Sequence, residues 1–143
     1  MNNIIHAPTI SVVTIVKNES HNIENFFKTL EGVADELIIV DTGSSDDTIV
    51  RINQQTPQAP FPVRLFTHSV EPFHFGRAKN FAIEQAKMDY VFVVDADERL
   101  GDTFAAALRS LLNRSHPQTV GMNRVDELVP HFIDPQVRVF LNH

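Results

Sequence analysis

Residues 89–101 read DYVFVVDADERLG, and the reading of this stretch decides the fold. Tyr90 to Val94 is an unbroken apolar run, rich in β-branched residues, as expected of a strand covered on both faces. The run stops on Asp95, Ala96 and Asp97, two carboxylates one residue apart. With YVFVVD as one strand, residues two apart point to the same side, so Asp95 and Asp97 share a site. Two such groups repel unless a cation neutralises them. A hard divalent ion, Mg2+ or Mn2+, takes oxygen ligands and shares them readily with substrate phosphates. The plainer reading makes Asp97 the cap of a turn and Glu98 a solvated neighbour. Asp-x-Asp alone is a weak motif; at the end of a buried strand in a series of strands and helices it carries more.

That series extends in both directions. Upstream, ISVVTIV (10–16), ELIIVD (36–41) and VRLFTH (63–68) read as strands. Ile23, Phe26, Phe27 and Leu30 recur at helical spacing, with Ser20 as N-cap and Gly32 closing the helix. TGSSDDT leads into a second helix, with Ser44 and Asp47 spaced as a capping box, and this helix fades before Pro57. RAKNFAIEQAK reads as a helix with Phe81, Ala82 and Ala86 inward. Downstream, FAAALRSLLNR (104–114) is a strongly amphipathic helix. TVGMNRV and QVRVFL read as strands, separated by a loop through Pro130 and Pro135. Alternation of strand and helix predicts an α/β fold with a mostly parallel, doubly wound sheet.

Ligands of such sheets bind outside the carboxyl ends of the strands. Strand one runs into Lys17, Asn18 and Glu19, strand two ends at Asp41, Thr42 and Gly43, and strand four ends at Asp95 to Asp97. This convergence of polar residues is the main functional signal. Helix capping and turn formation account for part of it, in TGSSDDT and at Asp41.

Bulk properties narrow the class. A chain of 143 residues with 43% hydrophobic and 21% charged residues suits one compact domain spanning residues 1–143. The net charge of −6 argues against broad binding to nucleic acid. Cysteine is absent, which excludes disulfides and thiolate metal sites. No run approaches the roughly 18 apolar residues of a membrane span, and the N-terminus lacks the features of a signal peptide. The expected location is the cytoplasm.

Four blocks stand in order: ISVVTIVKNESHNIENFFKTL, ELIIVDTGSSDDT, FGRAKNFAIEQA and YVFVVDADERL. Together they resemble the family 2 glycosyltransferases of GT-A fold. The similarity is closest to the bacterial branch that includes lipopolysaccharide-core glucosyltransferases, and it spans residues 10–101. It implies a three-layer α/β/α sandwich and an inverting, metal-dependent transfer with Mn2+ or Mg2+. The implied donor is a nucleotide-sugar, usually a UDP-sugar; the acceptor is a saccharide or lipid-linked hydroxyl, met in the cytoplasm or at the inner face of the membrane.

Residue by residue, the resemblance implies that Thr14, Val16, Asn18 and Glu19 line the nucleotide pocket, with Asp41 facing base or ribose. Arg77 and Lys79 match the basic segment that runs past the donor, with Asn80 beside them, and counter its phosphates. Asp95 matches the aspartate that contacts ribose or metal; Asp97 matches the more direct metal ligand. Cations at the start of a helix oppose its dipole, which favours an anion nearby. The general base normally comes from the second half of such chains. Asp126 and Glu127 are the only late acidic pair, and the family's usual later His-Glu pair is absent. The chain ends on QVRVFLNH, similar to the family's Arg-x-Phe segment. The resemblance thus implies a donor-binding half, either truncated or borrowing its base from a second subunit, which suits a homo-oligomer.

Plainer readings have Arg77 and Lys79 solvated, His74 a packed loop histidine, and Asn18 and Glu19 merely starting the first helix. Two rivals fit less well. A nucleotidyltransferase would carry a Gly-rich basic loop after strand one, where this chain has KNESHN. A response-regulator-like domain would need a late lysine. A noncatalytic nucleotide-sugar binding module is the standing alternative.

Overall fold

The computed structural model of the protein describes residues 6–68, 74–125 and 133–143. Six strands form one sheet in the order β3-β2-β1-β4-β6-β5. They are β1 (Ile10–Val16), β2 (Glu36–Asp41), β3 (Val63–Thr67), β4 (Tyr90–Val93), β5 (Thr119–Val125) and β6 (Ile133–Leu141). Strand β1 pairs in parallel with β2 and β4, and β2 with β3. β6 runs antiparallel to both β4 and β5, with an irregularity at Val120/Gly121. The sheet is therefore mixed: parallel in the first four strands, antiparallel beyond.

The helices are α1 (Ile23–Thr29), α2 (Thr48–Gln55), α3 (Phe75–Glu84) and α4 (Phe104–Ser115). Two buried clusters show how they are layered. On one face Val12, Leu37, Ile39 and Phe92 meet Ile23 and Phe26 of α1, Ile52 of α2, and Leu108 and Leu112 of α4. On the other, Val13, Ile38, Val40, Val91 and Val93 meet Ala82, Phe81 and Ile83 of α3. The result is an α/β/α sandwich. It explains why the central strands carry apolar residues without alternation: both sides are covered.

Residue types account for most element limits. β1 matches the apolar, β-branched run that predicts it, and β5 coincides with the expected strand TVGMNRV. The N-caps differ from expectation. Asn22, not Ser20, precedes α1, and the Asp46 carboxylate, not Ser44, accepts from the Thr48 N–H at the start of α2. Helix α3 opens at Phe75, two residues before the expected start, because the exposed His74 caps it: its Nδ1 accepts from Arg77 N–H. His74 is therefore a cap, not a packed loop residue.

The amino edge of the sheet is sealed by polar side chains. Arg109 of α4 donates to the carbonyls of Pro8, Gly32 and Val33 and to Asp35 at 2.8 Å. Asp35 also accepts from Ile10 N–H. The buried Glu36 accepts from Ser11 Oγ, Lys87 N–H and Arg64. Asp89 accepts from both donors of Thr9.

β1 is the point where the order reverses: β2 and β3 lie to one side, β4 to the other. A crevice at the carboxyl edge beside such a reversal is where open α/β sheets bind ligands.

Candidate functional site at the carboxyl edge of the sheet

The loops after β1 and β2 are stitched together. Asn18 adopts a left-handed conformation, φ 55°, which Asn tolerates better than most residues. Its Oδ1 accepts from Ser45 N–H at 2.8 Å and from Asp46 N–H, while its own N–H donates to Ser44 Oγ. Glu19 N–H donates to Thr48 Oγ1, Ser20 N–H to Asp46, and the Glu19 carboxylate accepts from Asn22. Asn18 and Glu19 thus tie two loops together rather than simply starting α1.

Asp41 is 1% exposed and saturated by its own turn. Its Oδ1 accepts from the N–H groups of Gly43 and Ser44, and its Oδ2 from Ser44 Oγ. Gly43 closes this turn at φ 112°, a conformation glycine adopts without strain. Asp46 accepts from Thr48 N–H and Oγ1. The Thr48 hydroxyl, with Ser20 N–H, holds the Asp46 carboxyl down to about 2. Val16 is a core residue whose carbonyl receives Thr42 N–H.

The acidic segment differs from its sequence reading. β4 ends at Val93, two residues before the expected Asp95. Val94 is still buried, its N–H reaching Val13 O, and the chain then turns, with Glu98 N–H on Asp95 O at 3.0 Å. Asp95 and Asp97 are thus the first and third residues of a tight turn, not neighbours on a strand face. Ala96 between them faces the core and is 2% exposed, while both aspartates are exposed. The turn still projects both carboxylates outward. Among the described residues no side chain pairs with Asp97.

Glu98 is no solvated neighbour. Both its carboxylate oxygens lie 2.7 Å from Arg138 Nη2 of β6. Burial pushes its carboxyl above the usual range against the pull of Arg138, and the Asp95 carboxylate beside it adds to the rise.

Thr14, Lys79 and Asp95 come together, with Phe75, Ala82 and Val93, around a cavity of about 10 Å3. That is room for about one water molecule at most, so it is not by itself a nucleotide pocket. Thr14 Oγ1 is buried there without a hydrogen-bond partner among the described residues. Lys79 also lies over the Phe75 ring, 5.8 Å from its centre. Arg77 and Asn80 are exposed. A roomier hollow of about 390 Å3 lies elsewhere, between α1 and the segment after the acidic turn, lined by Lys28, Thr29, Arg99 and Asp102 among others. It includes none of the candidate nucleotide-binding residues.

The donor set suits a shared ion rather than an enclosed one. No group of three or more acidic, histidine or cysteine side chains encloses an ion among the described residues. Two exposed hard-oxygen donors leave the remaining positions to water and phosphate, as Mg2+ and Mn2+ prefer. Asp126 and Glu127 lie outside the described residues.

Arg138 is the residue that local reasoning missed. It stands 40 positions from Glu98, and the only sequence signal was its place in the Arg-x-Phe segment.

Comparison with known proteins agrees with this architecture. The profile of the family "Glycosyl transferase family 2" matches residues 11–138. The lipopolysaccharide core biosynthesis glycosyltransferase LpsC of Rhizobium meliloti is 35% identical over 107 residues, 74% of this chain and 38% of LpsC. An uncharacterized glycosyltransferase of Rickettsia bellii is 26% identical over 92% of this chain and 42% of its own length. The chain therefore spans about two fifths of these relatives.

Among solved structures, the mannosyltransferase PcManGT of Pyrobaculum calidifontis, in complex with GDP-Man and Mn2+, superposes with a TM-score of 0.68. It is 23% identical over 86% of this chain and 37% of its own. Glucosyl-3-phosphoglycerate synthase of Mycobacterium tuberculosis, in complex with Mn2+, UDP and glucosyl-3-phosphoglycerate, gives 0.59. It is 26% identical over 78% of this chain and 42% of its own. Both neighbours have the GT-A sandwich described above, and the chain belongs to glycosyl transferase family 2.

Proposed function

We propose that this chain is the donor-binding domain of an inverting, metal-dependent glycosyltransferase that takes its sugar from a nucleotide-sugar, most simply a UDP-sugar. The observation that carries this is the meeting of Thr14, Lys79 and Asp95 at the β1/β4 reversal, with Asp97, unpaired among the described residues, two positions on in the same turn. Relatives add support: LpsC is a lipopolysaccharide core glycosyltransferase, and the mycobacterial synthase binds UDP with Mn2+.

In this reading the stitched loops after β1 and β2 orient the nucleoside, with Thr14 nearest it and the buried Asp41 holding the loop after β2 in shape. Asp95 and Asp97 would hold a divalent ion, Mn2+ or Mg2+, whose remaining positions suit water and phosphate oxygens. When bound, that ion neutralises the charge that develops on the leaving diphosphate. Lys79 and Arg77 face the same phosphates from the start of α3, where preorganised charge favours the transition state over the ground state. The acceptor, a saccharide or lipid-linked hydroxyl, approaches from the opposite face of the sugar and gives its proton to a carboxylate. Asp126 or Glu127 is the candidate base on this chain; a second subunit is the other source.

Calorimetric titration with UDP, with and without Mn2+, tests the reading. The wild-type chain binds UDP more tightly with Mn2+, and Asp97→Ala removes that gain, a loss at least as large as the roughly 10-fold to 100-fold that follows removal of an outer-shell partner. The variant keeps its melting temperature, because Asp97 is exposed and unpaired among the described residues. Unchanged affinity and metal dependence in Asp97→Ala would remove Asp97 from the site. Release of free sugar from UDP-sugars, or its transfer to an acceptor, separates an enzyme from a binding module.

A further inference from the structure

We infer that Arg138 is a positioning residue for the acidic turn, acting on the proposed metal site through Glu98 and the end of β4. The inference rests on the donor-site reading above and deepens it.

Arg138 stands on β6, the antiparallel neighbour of β4, and is 8% exposed. Its guanidinium grips both ends of one short segment. Nε donates to Val93 O, the last residue of β4, at 2.8 Å, and Nη2 donates to both oxygens of Glu98 at 2.7 Å. Nη1 is held in turn by the Gln136 side chain. Asp95 and Asp97 lie between the two anchor points. Glu98 further fixes the turn from within, through its N–H on Asp95 O. A planar cation with donors in a rigid fork can hold two anchors at a fixed separation; an ammonium, a point donor, cannot.

The clamp also has an electrostatic side. Glu98 and Asp95 are neighbouring carboxylates. Without Arg138, a third nearby acid would be left uncompensated, and the turn would relax away from it. With Arg138 in place, Glu98 has its counter-charge inside the fold, while Asp95 and Asp97 face outward.

The test is the Mn2+ concentration at which UDP binding is half maximal, read by calorimetry, beside the melting temperature and UDP affinity without metal. Arg138→Lys keeps the charge and loses the two-ended grip. It is expected to raise the half-maximal Mn2+ concentration about 10-fold or more, as loss of an outer-shell partner does. UDP affinity without metal stays unchanged. Glu98→Gln keeps one of the two acceptor oxygens and the length of the side chain. It lowers the melting temperature, because Arg138 loses its counter-charge, yet leaves the metal dependence close to wild type.

A merely structural role would move melting temperature and metal dependence together in both variants, and that result overturns the inference. Should Arg138→Lys fail to fold, Glu98→Ala reads the same quantity by removing the far anchor. It too raises the half-maximal Mn2+ concentration, and an unchanged value overturns the inference. A wild-type chain whose UDP affinity is indifferent to Mn2+ removes the metal site itself. A metal-responsive wild type with an indifferent Arg138→Lys removes only the clamp.

Discussion

Acidic residues stand at both edges of this sheet, and the two edges treat them differently. At the amino ends of β1, β2 and β4, the carboxylates of Asp35, Glu36 and Asp89 have their donors inside the fold. Asp35 has Arg109 and Ile10 N–H, Glu36 has Ser11, Lys87 and Arg64, and Asp89 has Thr9. Burial alone would raise the Glu36 carboxyl, yet the hydrogen bonds from Ser11, Lys87 and Arg64 outweigh it and hold it below the usual range. At the carboxyl edge, Asp41 and Asp46 are saturated in the same way, while Asp95 and Asp97 project from a turn into solvent. A saturated acid contributes to stability and has little left for a ligand. An unsaturated one contributes little to stability and attracts a cation. Partners, rather than the number of acids, separate scaffold from site.

The strongest test of that contrast is a pair of substitutions with opposite consequences. Glu36→Ala leaves Arg64 without its counter-charge and Ser11 and Lys87 N–H without their acceptor. The expected cost is about 3 kcal/mol in urea unfolding, the low end for breaking a buried pair, because Arg64 is 29% exposed. UDP affinity of the folded protein is unchanged. Asp97→Ala does the reverse. Should Glu36→Ala weaken UDP binding as strongly as Asp97→Ala, the division between the edges fails.

A smaller effect sharpens the carboxyl edge itself. Arg77 is an exposed cation in the first turn of α3, on the side of the sheet where Lys79 and Asp95 meet. Arg77→Ala is expected to weaken UDP about fivefold at most, as for a solvated pair, and to leave uridine binding unchanged. Raising the salt concentration erases the difference, since exposed charges are screened beyond about 10 Å at 0.1 M. A loss that is equal for uridine and UDP would move Arg77 away from the phosphates.

Local pattern was enough for the strands and the order of the layers. The limits of β1 and β2 follow from composition alone, because covered strands need apolar, β-branched residues and little else; β5 is an exposed edge strand that pairs with β6 alone. The misses share a cause: contacts between residues far apart in sequence. YVFVVD reads as a strand to its end, and only the pairing with β1 shows that the ladder stops at Val93. β6 runs through Pro135, which reads as a loop residue, because its pairing with β5 continues to Ile133. Asn18 reads as the start of a helix until Ser45 and Asp46 supply its partners from another loop. Glu98 reads as solvated until Arg138 arrives from the far end of the chain. For the proposed site, the sequence offers Asp41, Asp95 and Asp97 as candidates; it does not show which of them the fold already satisfies.

Asp46 gives the smallest effect and the cleanest sign. Its carboxyl sits at about 2 in the folded chain, below the ordinary value of 3.8, first because Thr48 Oγ1 donates to the charged form and then because Ser20 and Thr48 N–H do. A group whose folded value is depressed lends stability that is complete above the unfolded value and is lost as pH falls through the folded one. The window therefore runs from just above 3.8 down to about 2. Asp46→Asn lacks this titration. The gap in urea midpoint between wild type and Asp46→Asn is expected to stay constant in neutral and weakly acidic buffer and to shrink across that window. Because Asp46 is exposed, solvent screens the effect and the gap is small. A gap that does not change across the window would mean that the charge of Asp46 adds nothing to the stitching, which then rests on Asn18 and on Glu19 N–H to Thr48 Oγ1. The saturated half of the carboxyl edge would then depend on geometry rather than charge, leaving charge to the half that meets the ligand.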